Sequence, residues 1–223
     1  MECSRPAEIE RESMAIIECE LKARGLVLPE GTKALVKRVI HTTADFDYAE
    51  NLCFTPDADS SSRLAQTALR GGTIITDSNM ALAGISRPAM QKLDCSAFCF
   101  MAEPAIAQAA RERGITRAAA SMEHAMTIFP DAVYAIGNAP TALLRLTDAI
   151  EQGLRPALVI GVPVGFVNVV ESKERALAVC AEYGVPAVIA AGRKGGSTVA
   201  AAICNALLYQ AADLTAPESR TGI

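Results

Sequence analysis

Ala157-Leu158-Val159-Ile160 is an uninterrupted apolar run that leads into Gly161-Val162, and it decides the fold class. A strand that is covered on both faces does not need to alternate apolar and polar side chains, so this run is typical of a central strand in a parallel sheet. Further short runs with the same character occur along the chain; they are Thr73–Thr76, Val133–Ile136, Ala187–Ala190 and, more weakly, Ala97–Met101.

Helical patterns separate these runs, at Glu103–Arg113, Ala118–Met126, Thr141–Gln152, Lys173–Tyr183 and Thr198–Tyr209. Further helices are expected before the first strand, at about 7–23, 32–45 and 60–70. Short strands that alternate with helices predict an α/β fold, in which a mostly parallel sheet is covered by helices on both faces. We expect one domain over residues 1–212, followed by a polar tail, 213–223, that frays.

The composition excludes several classes of protein. Of the 223 residues, 51% are hydrophobic and only 4% aromatic, with no tryptophan and a formal charge of −4. This balance predicts no binding to nucleic acid and no attraction to an anionic membrane. The longest apolar stretch, Pro156–Val170, is short and interrupted by glycine and proline, and the acidic first 20 residues do not resemble a secretion signal. We therefore expect a cytoplasmic protein.

Cysteine usage supports the same compartment. The seven cysteines are odd in number, and none are spaced as CxxC, so free buried thiols are a better interpretation than disulfides or a zinc site. No metal site is predicted.

Glycine-rich or polar segments follow several of the predicted strands and open helices; they are Thr76–Asn79, Gly137–Thr141, Gly161–Phe166 and Gly192–Ser197. In open α/β sheets, ligands bind outside the carboxyl ends of the strands, where helix N-termini direct free N–H groups at anions. The sequence thus predicts a cleft for a ligand with many negative groups. The basic pair in Gly192–Ser197 is suited to binding a carboxylate or a phosphate. A turn that only caps a helix explains this segment equally well. Neither the P-loop pattern nor G-x-G-x-x-G is present.

Arg38 and His41 are the first candidates for chemistry. Three residues apart on a helix, they lie together on the flank of an apolar stripe, where an imidazole could move a proton beside an arginine that binds a carboxylate. Spacing alone favours an ordinary surface pair at a helix end. Ser13 shares a face with Ile9 and Ile16, where its hydroxyl could bond a carbonyl one turn earlier or touch a ligand. Arg117, at a loop that enters a helix, is most simply a solvated arginine.

Several phrases of the sequence together resemble the precorrin-8X methylmutase (precorrin isomerase) family. They occur in family order from about Ser13 to Leu207, and the ordered set is specific where each phrase alone is weak. The phrases are Arg38–Phe46, Ile75–Met80 with Gly84-Ile85, Ile136–Leu143, Gly161–Val167, Glu171–Lys173, Gly192–Ser197 and Asn205–Leu207.

The resemblance implies an isomerase of cobalamin biosynthesis that moves a methyl group from carbon 11 to carbon 12 of precorrin-8X or cobalt-precorrin-8, a 1,5-sigmatropic shift giving hydrogenobyrinate or cobyrinate. It implies a homodimer with sites near the subunit interface and no cofactor, any cobalt being part of the substrate. The family's catalytic histidine corresponds to His41, and its substrate-contacting serine and arginine to Ser13 and Arg38. Motif matching and the strand-end argument together add the further substrate contacts Asp77, Arg117, Asn138, Arg193 and Ser197.

Two other functions are compatible with the pattern. A tetrapyrrole or corrinoid carrier would keep the pocket without chemistry, and a transferase would use Gly192–Ser197 to hold a phosphate. The presence of His41 argues against the carrier, and the absence of a nucleotide signature argues against the transferase.

Overall fold

The computed structural model describes residues 5–220 apart from the side chain of Ala58, and a six-stranded sheet lies at its centre. The strands are β1 Leu52–Thr55, β2 Thr73–Thr76, β3 Ser96–Phe98, β4 Val133–Ile136, β5 Leu158–Gly161 and β6 Ala187–Ala190. Their order across the sheet is β1-β6-β5-β4-β2-β3. Every neighbouring pair is parallel except β1 with β6, which is antiparallel.

Helices connect the strands and cover the sheet. Those of the N-terminal half are α1 Pro6–Ala23, α2 Glu30–Thr43, α3 Tyr48–Asn51, α4 Ala58–Ala68, α5 Asn79–Gly84 and α6 Arg87–Lys92. Those of the C-terminal half are α7 Pro104–Arg113, α8 Arg117–Ile128, α9 Pro140–Glu151, α10 Val169–Glu182 and α11 Ser197–Ala211. Short 3-10 helices lie before α7, at Phe100–Ala102, and after α11, at Pro217–Arg220.

The two faces of the sheet pack against different sets of helices. Because side chains alternate along a strand, Val133 and Ala135 of β4 face the core formed with α1, α2, α4 and α11, whereas Tyr134 and Ile136 face the core formed with α8, α9 and α10. Both faces of the sheet are buried at its centre, since all four residues in each of β4, β5 and β6 are buried. The predicted α/β class, with a mostly parallel sheet covered on both faces and preceded by N-terminal helices, is confirmed.

Three features differ from the sequence-based expectation. Strand β1 was not predicted, and neither were the short helices α5 and α6. The weak run Ala97–Met101 is a strand only at its start, because Phe100–Ala102 turns into a 3-10 helix that leads to α7. The expectation that the tail frays stays a prediction; in its described part, Leu214 is buried and the Arg220 guanidinium bonds the Glu10 carboxylate at 2.8 Å.

Within the described residues, the cysteines are all free, and Cys180 and Cys204 are buried as small apolar side chains. Cys3 lies outside the described residues. None of the helices in residues 5–220 combines the length and the apolar character that a membrane span requires.

Candidate active site

The contact between α1 and α2 places the proposed proton-transfer group. Leu35, Val39 and Ile40 bury one face of α2 in the core, which leaves His41 partly buried on the flank that faces α1. There the Ser13 hydroxyl oxygen lies 2.7 Å from Nδ1 of His41. Neither sequence interpretation of Ser13 foresaw this bond, since both considered the hydroxyl without the opposite helix. The bond fixes the orientation of the imidazole ring.

Arg38 has an acidic partner within the chain. Its Nη2 donates to Oε1 of Glu10 at 2.5 Å, and Nη1 of Arg220 donates to both oxygens of the same carboxylate at 2.8 Å. Burial raises the pKa of Glu10, but the hydrogen bonds from the two arginines outweigh it and hold the pKa below its usual value. Two guanidinium groups therefore share one carboxylate beside His41, which leaves a net positive charge for an anionic ligand.

The same charges act on His41. Burial lowers its pKa from the ordinary value, and the nearby positive charges of Arg38 and Arg220 lower it further, while the Glu10 carboxylate opposes them. The imidazole is therefore predominantly neutral at neutral pH in the unliganded protein. A ligand that brings negative charge to this site raises the pKa of His41 and favours the imidazolium.

An apolar groove of about 340 Å³ opens at the His41 ring. The side chains of Ile9, Ile16 and Phe46 line it together with Ser13 and His41. Ile9 and Ile16 are both 51% exposed, which is unusual for isoleucine and marks the wall of the groove as a contact surface. Glu12 and Glu20 line it as well, so the groove combines an apolar face with the Ser13–His41 pair and two carboxylates.

The ends of the parallel strands form a second part of the site. The Asp77 carboxylate, at the end of β2, accepts hydrogen bonds from the backbone N–H groups of Gly137, Asn138 and Ala139 at 2.9, 2.8 and 2.6 Å. Asp77 is 1% exposed, and burial raises its pKa despite these bonds. Its carboxylate is taken up by the loop after β4, so its contribution is to place Asn138, whose side chain is exposed.

Ser197 lies against this loop. Its hydroxyl is 2.7 Å from that of Ser78, and a Cβ at Gly137 would lie 2.8 Å from the Ser197 Cα. Only glycine permits this close approach of the two loops. The structure thus brings together Asp77, Asn138 and Ser197, as the strand-end argument predicted.

The two remaining arginines are exposed. Arg193 lies on the loop after β6 with its guanidinium 5.6 Å from the ring centroid of Phe166. Arg117 begins α8 after the N-cap Thr116 and has no hydrogen-bond or ion-pair partner within residues 5–220.

Lys194 connects the two parts of the site. Its ammonium lies 2.6 Å from carboxylate oxygens of both Asp45 and Asp47, which follow directly after α2. The helix that carries His41 is thereby tied to the loop that carries Arg193. This connection was missed from the sequence because the partners are 149 and 147 residues apart. Glu10 was missed as well, although it lies three residues before Ser13 on the same side of α1.

No group of three or more His, Cys, Asp or Glu side chains in residues 5–220 is arranged to hold a metal ion. The expectation that the reaction needs no cofactor stays a prediction.

Comparison with known proteins adds independent information. The family model described as precorrin-8X methylmutase (CbiC) matches residues 8–210. The cobalt-precorrin-8 methylmutase of Leptospira interrogans is 38% identical over 207 residues, 90% of this chain and 91% of that protein. The precorrin-8X methylmutase of Pseudomonas aeruginosa is 39% identical over 203 residues, 89% of this chain and 93% of that protein. The crystal structure of precorrin-8X methylmutase from Thermus thermophilus superposes with a TM-score of 0.80 at 37% identity, covering 92% of this chain and 98% of that one.

Proposed function

The chain belongs to the precorrin-8X methylmutase family, and we propose that His41 supplies the proton that promotes the methyl shift. It is an isomerase of cobalamin biosynthesis that moves a methyl group from carbon 11 to carbon 12 within its tetrapyrrole substrate. This assignment sets aside the carrier and the phosphate transferase. The proposal concerns how the residues of the site perform the shift.

The observation that carries the proposal is the 2.7 Å contact between Ser13 and Nδ1 of His41 at the wall of an apolar groove. In an imidazolium both ring nitrogens are donors. With Nδ1–H directed at the Ser13 oxygen, Nε2–H is the donor that remains for a substrate. Protonating a nitrogen or carbon of the tetrapyrrole ring next to the migrating methyl group makes the π system of the macrocycle electron-poor, which lowers the barrier to the methyl shift. Because an isomerisation consumes no net proton, the proton returns to His41 as the product forms.

Substrate recognition follows from the chemistry of the macrocycle, a flat apolar ring that bears acetate and propionate side chains. We propose that the ring lies against the groove walls at Ile9 and Ile16, and that Arg38 binds a carboxylate in competition with Glu10. Asn138, Ser197 and Arg193 would contact further carboxylates at the strand ends, and Arg117 another at the start of α8. Asp77 supports this surface through the loop after β4.

We also propose that the protein is a homodimer with its sites near the subunit interface. Beside the strand-end loops, Phe166 is 83% exposed and Val167 is 77% exposed, and large apolar side chains so exposed favour a contact with a second chain or with the substrate. Light scattering at micromolar concentration should give about twice the chain mass of 23.4 kDa; a mass near that of one chain would contradict the dimer.

No cofactor enters this mechanism. A methyl shift within one molecule requires neither a redox partner nor a second substrate, and cobalt, where present, belongs to the substrate. Turnover of metal-free and cobalt-loaded precorrin-8X, measured side by side, distinguishes the natural substrate.

The test of the mechanism is the variant His41→Asn. Loss of a general acid should lower kcat by about 10²–10⁴-fold, while the affinity for the corrinoid product changes little. His124→Asn is the matched control, because His124 is the other histidine of the chain and packs its ring edge-on against Phe100 at 5.0 Å between centroids. Near wild-type turnover by His41→Asn would remove His41 from the chemistry.

A further inference from the structure

Lys173 is a buried cation in the middle of α10 that the mechanism above does not use. It is 1% exposed and occupies a position on the same face as the buried Val169 and Ala176. Its ammonium donates to the backbone carbonyl oxygens of Gly192 at 2.9 Å and Lys194 at 2.7 Å. Within residues 5–220 no carboxylate forms an ion pair with it.

Burying an ammonium group without a carboxylate partner is costly, whereas a neutral amide could donate to the same two carbonyls at a smaller desolvation cost. The desolvation is reflected in the pKa of Lys173, which burial lowers to about 8, so the group remains largely protonated at neutral pH. A requirement for two hydrogen bonds alone therefore does not explain a lysine here. The positive charge itself needs an explanation.

The loop that Lys173 holds runs from the end of β6 to the start of α11. In a trans peptide the N–H points opposite to the C=O. The Gly192 and Lys194 carbonyls point at the Lys173 ammonium. The N–H groups of the same two peptides, which belong to Arg193 and Gly195, therefore point away from Lys173. Neither N–H has an acceptor within residues 5–220. Two free N–H groups this close together in one short loop can bind the same anion.

Other bonds hold the loop in the same arrangement. The Arg193 carbonyl accepts from the Gly165 N–H at 3.4 Å, and the Gly196 N–H donates to the Val162 carbonyl at 2.8 Å. The Arg193 side chain projects to Phe166 on the exposed side. The free N–H groups and the guanidinium thus belong to one short segment, with a buried positive charge behind it.

We propose that Lys173 is a positioning residue that sets the loop 192–196 as a receptor for one carboxylate of the tetrapyrrole substrate. The N–H groups of Arg193 and Gly195 and the Arg193 guanidinium bind the carboxylate, and Lys173 acts through the two peptides it holds and through its charge. The proposal rests on the proposed function for the identity of the ligand, but not on the role of His41.

Lys173→Gln is the discriminating variant, because glutamine keeps a donor for the two carbonyls and removes the charge. Removing the positive charge behind the loop, while a donor to its carbonyls remains, should raise KM and weaken binding of the corrinoid product by about tenfold or more, with kcat at saturation within about twofold of wild type. Lys92→Gln is the control, since Lys92 is an exposed lysine at the end of α6. Wild-type product affinity in Lys173→Gln, or a fall in kcat at unchanged KM, overturns the proposal.

Lys173→Ala addresses the charge by a second route and guards against a variant that only packs badly. Added propylammonium, which matches the removed part of the side chain, should restore product affinity, and the uncharged propan-1-ol should not; equal restoration by both contradicts a role for charge. Measuring product binding by absorbance titration in a His41→Asn background separates this result from the chemistry. The weakening due to Lys173→Gln should persist there, whatever happens to turnover.

Discussion

Replacing Ser13 by alanine should slow the methyl shift, and it should do so only through His41. The Ser13 hydroxyl is 2.7 Å from Nδ1 of His41 and lies on the adjacent helix, so the substitution removes one hydrogen bond to the ring and leaves both helices in place. In the imidazolium that bond is made to a charged donor. Its loss therefore disfavours the protonated, reactive form of the ring.

The size of the effect follows from the charge. A hydrogen bond to a charged group contributes about 1.5–3 kcal/mol, which corresponds to a fall in kcat of about 10- to 150-fold. Were the reactive ring neutral, a bond of about 0.5–1.5 kcal/mol would give a fall of only about 2- to 13-fold. Single-turnover conversion of precorrin-8X, followed by absorbance, distinguishes these ranges, and Ser13→Thr serves as the control that retains the hydroxyl.

The double variant tests the route of the effect. Once His41 is asparagine, Ser13→Ala should have almost no further effect on kcat, so the coupling energy should nearly equal the whole effect of the serine substitution. Additive losses in the double variant would show that Ser13 acts on the substrate directly and would refute the assignment of Ser13 as the residue that orients His41.

The other predictions concern charge and packing. With His41 as the proposed acid, the rate should fall as pH rises, through a pKa below 6.5 in the kcat/KM profile and a higher one in the kcat profile, since bound carboxylates favour the imidazolium; coincident pKa values would contradict this. Glu10→Gln should lower the pKa of His41 further, because the Glu10 charge raises it; NMR titration measures this with His124 as an internal reference, and an unchanged value would exclude the electrostatic coupling. Gly137→Ala should destabilise the protein by about 1–3 kcal/mol, since its Cβ would lie 2.7 Å from the Gly196 carbonyl oxygen; an unchanged thermal midpoint would mean that the loops separate freely.

The central strands and their following loops were predictable because their signals are local. Leu158–Gly161 is apolar throughout and short, and the glycines and serines after each strand mark where a helix begins. Strand β1 carries no such signal: Leu52–Thr55 pairs antiparallel with β6, more than 130 residues later, and only that pairing makes it a strand. A short edge strand of this kind is specified by tertiary contacts rather than by its own pattern.

The site divides in the same way. Arg38 and His41 were predictable as neighbours because three residues on one helix fix their separation. Their partners Glu10 and Ser13 lie 28 residues earlier, and their contacts depend on how α1 crosses α2, which no local pattern encodes. Lys173 is detectable in the sequence, since it is the one cation at an apolar position of α10. This pattern identifies a buried charge, but it does not identify the two carbonyls that accept hydrogen bonds from it.

The proposed carboxylate-binding groups at the strand ends and His41 have different tasks, and the reason lies in the reaction itself. Substrate and product carry the same carboxylates and differ in the position of one methyl group and of the double bonds around it, so the contacts proposed for Arg193 and Asn138 should stabilise the substrate, the transition state and the product almost equally. Uniform binding of this kind tightens the complex but does not accelerate the shift. Acceleration requires an interaction that changes between ground state and transition state, and the proton transfer that we propose from His41 is such an interaction. The pKa of His41 lies below its ordinary value in the unliganded protein, and negative charge on a ligand would raise it, so in the proposed mechanism the imidazole gains its proton in the complex, where the proton is needed.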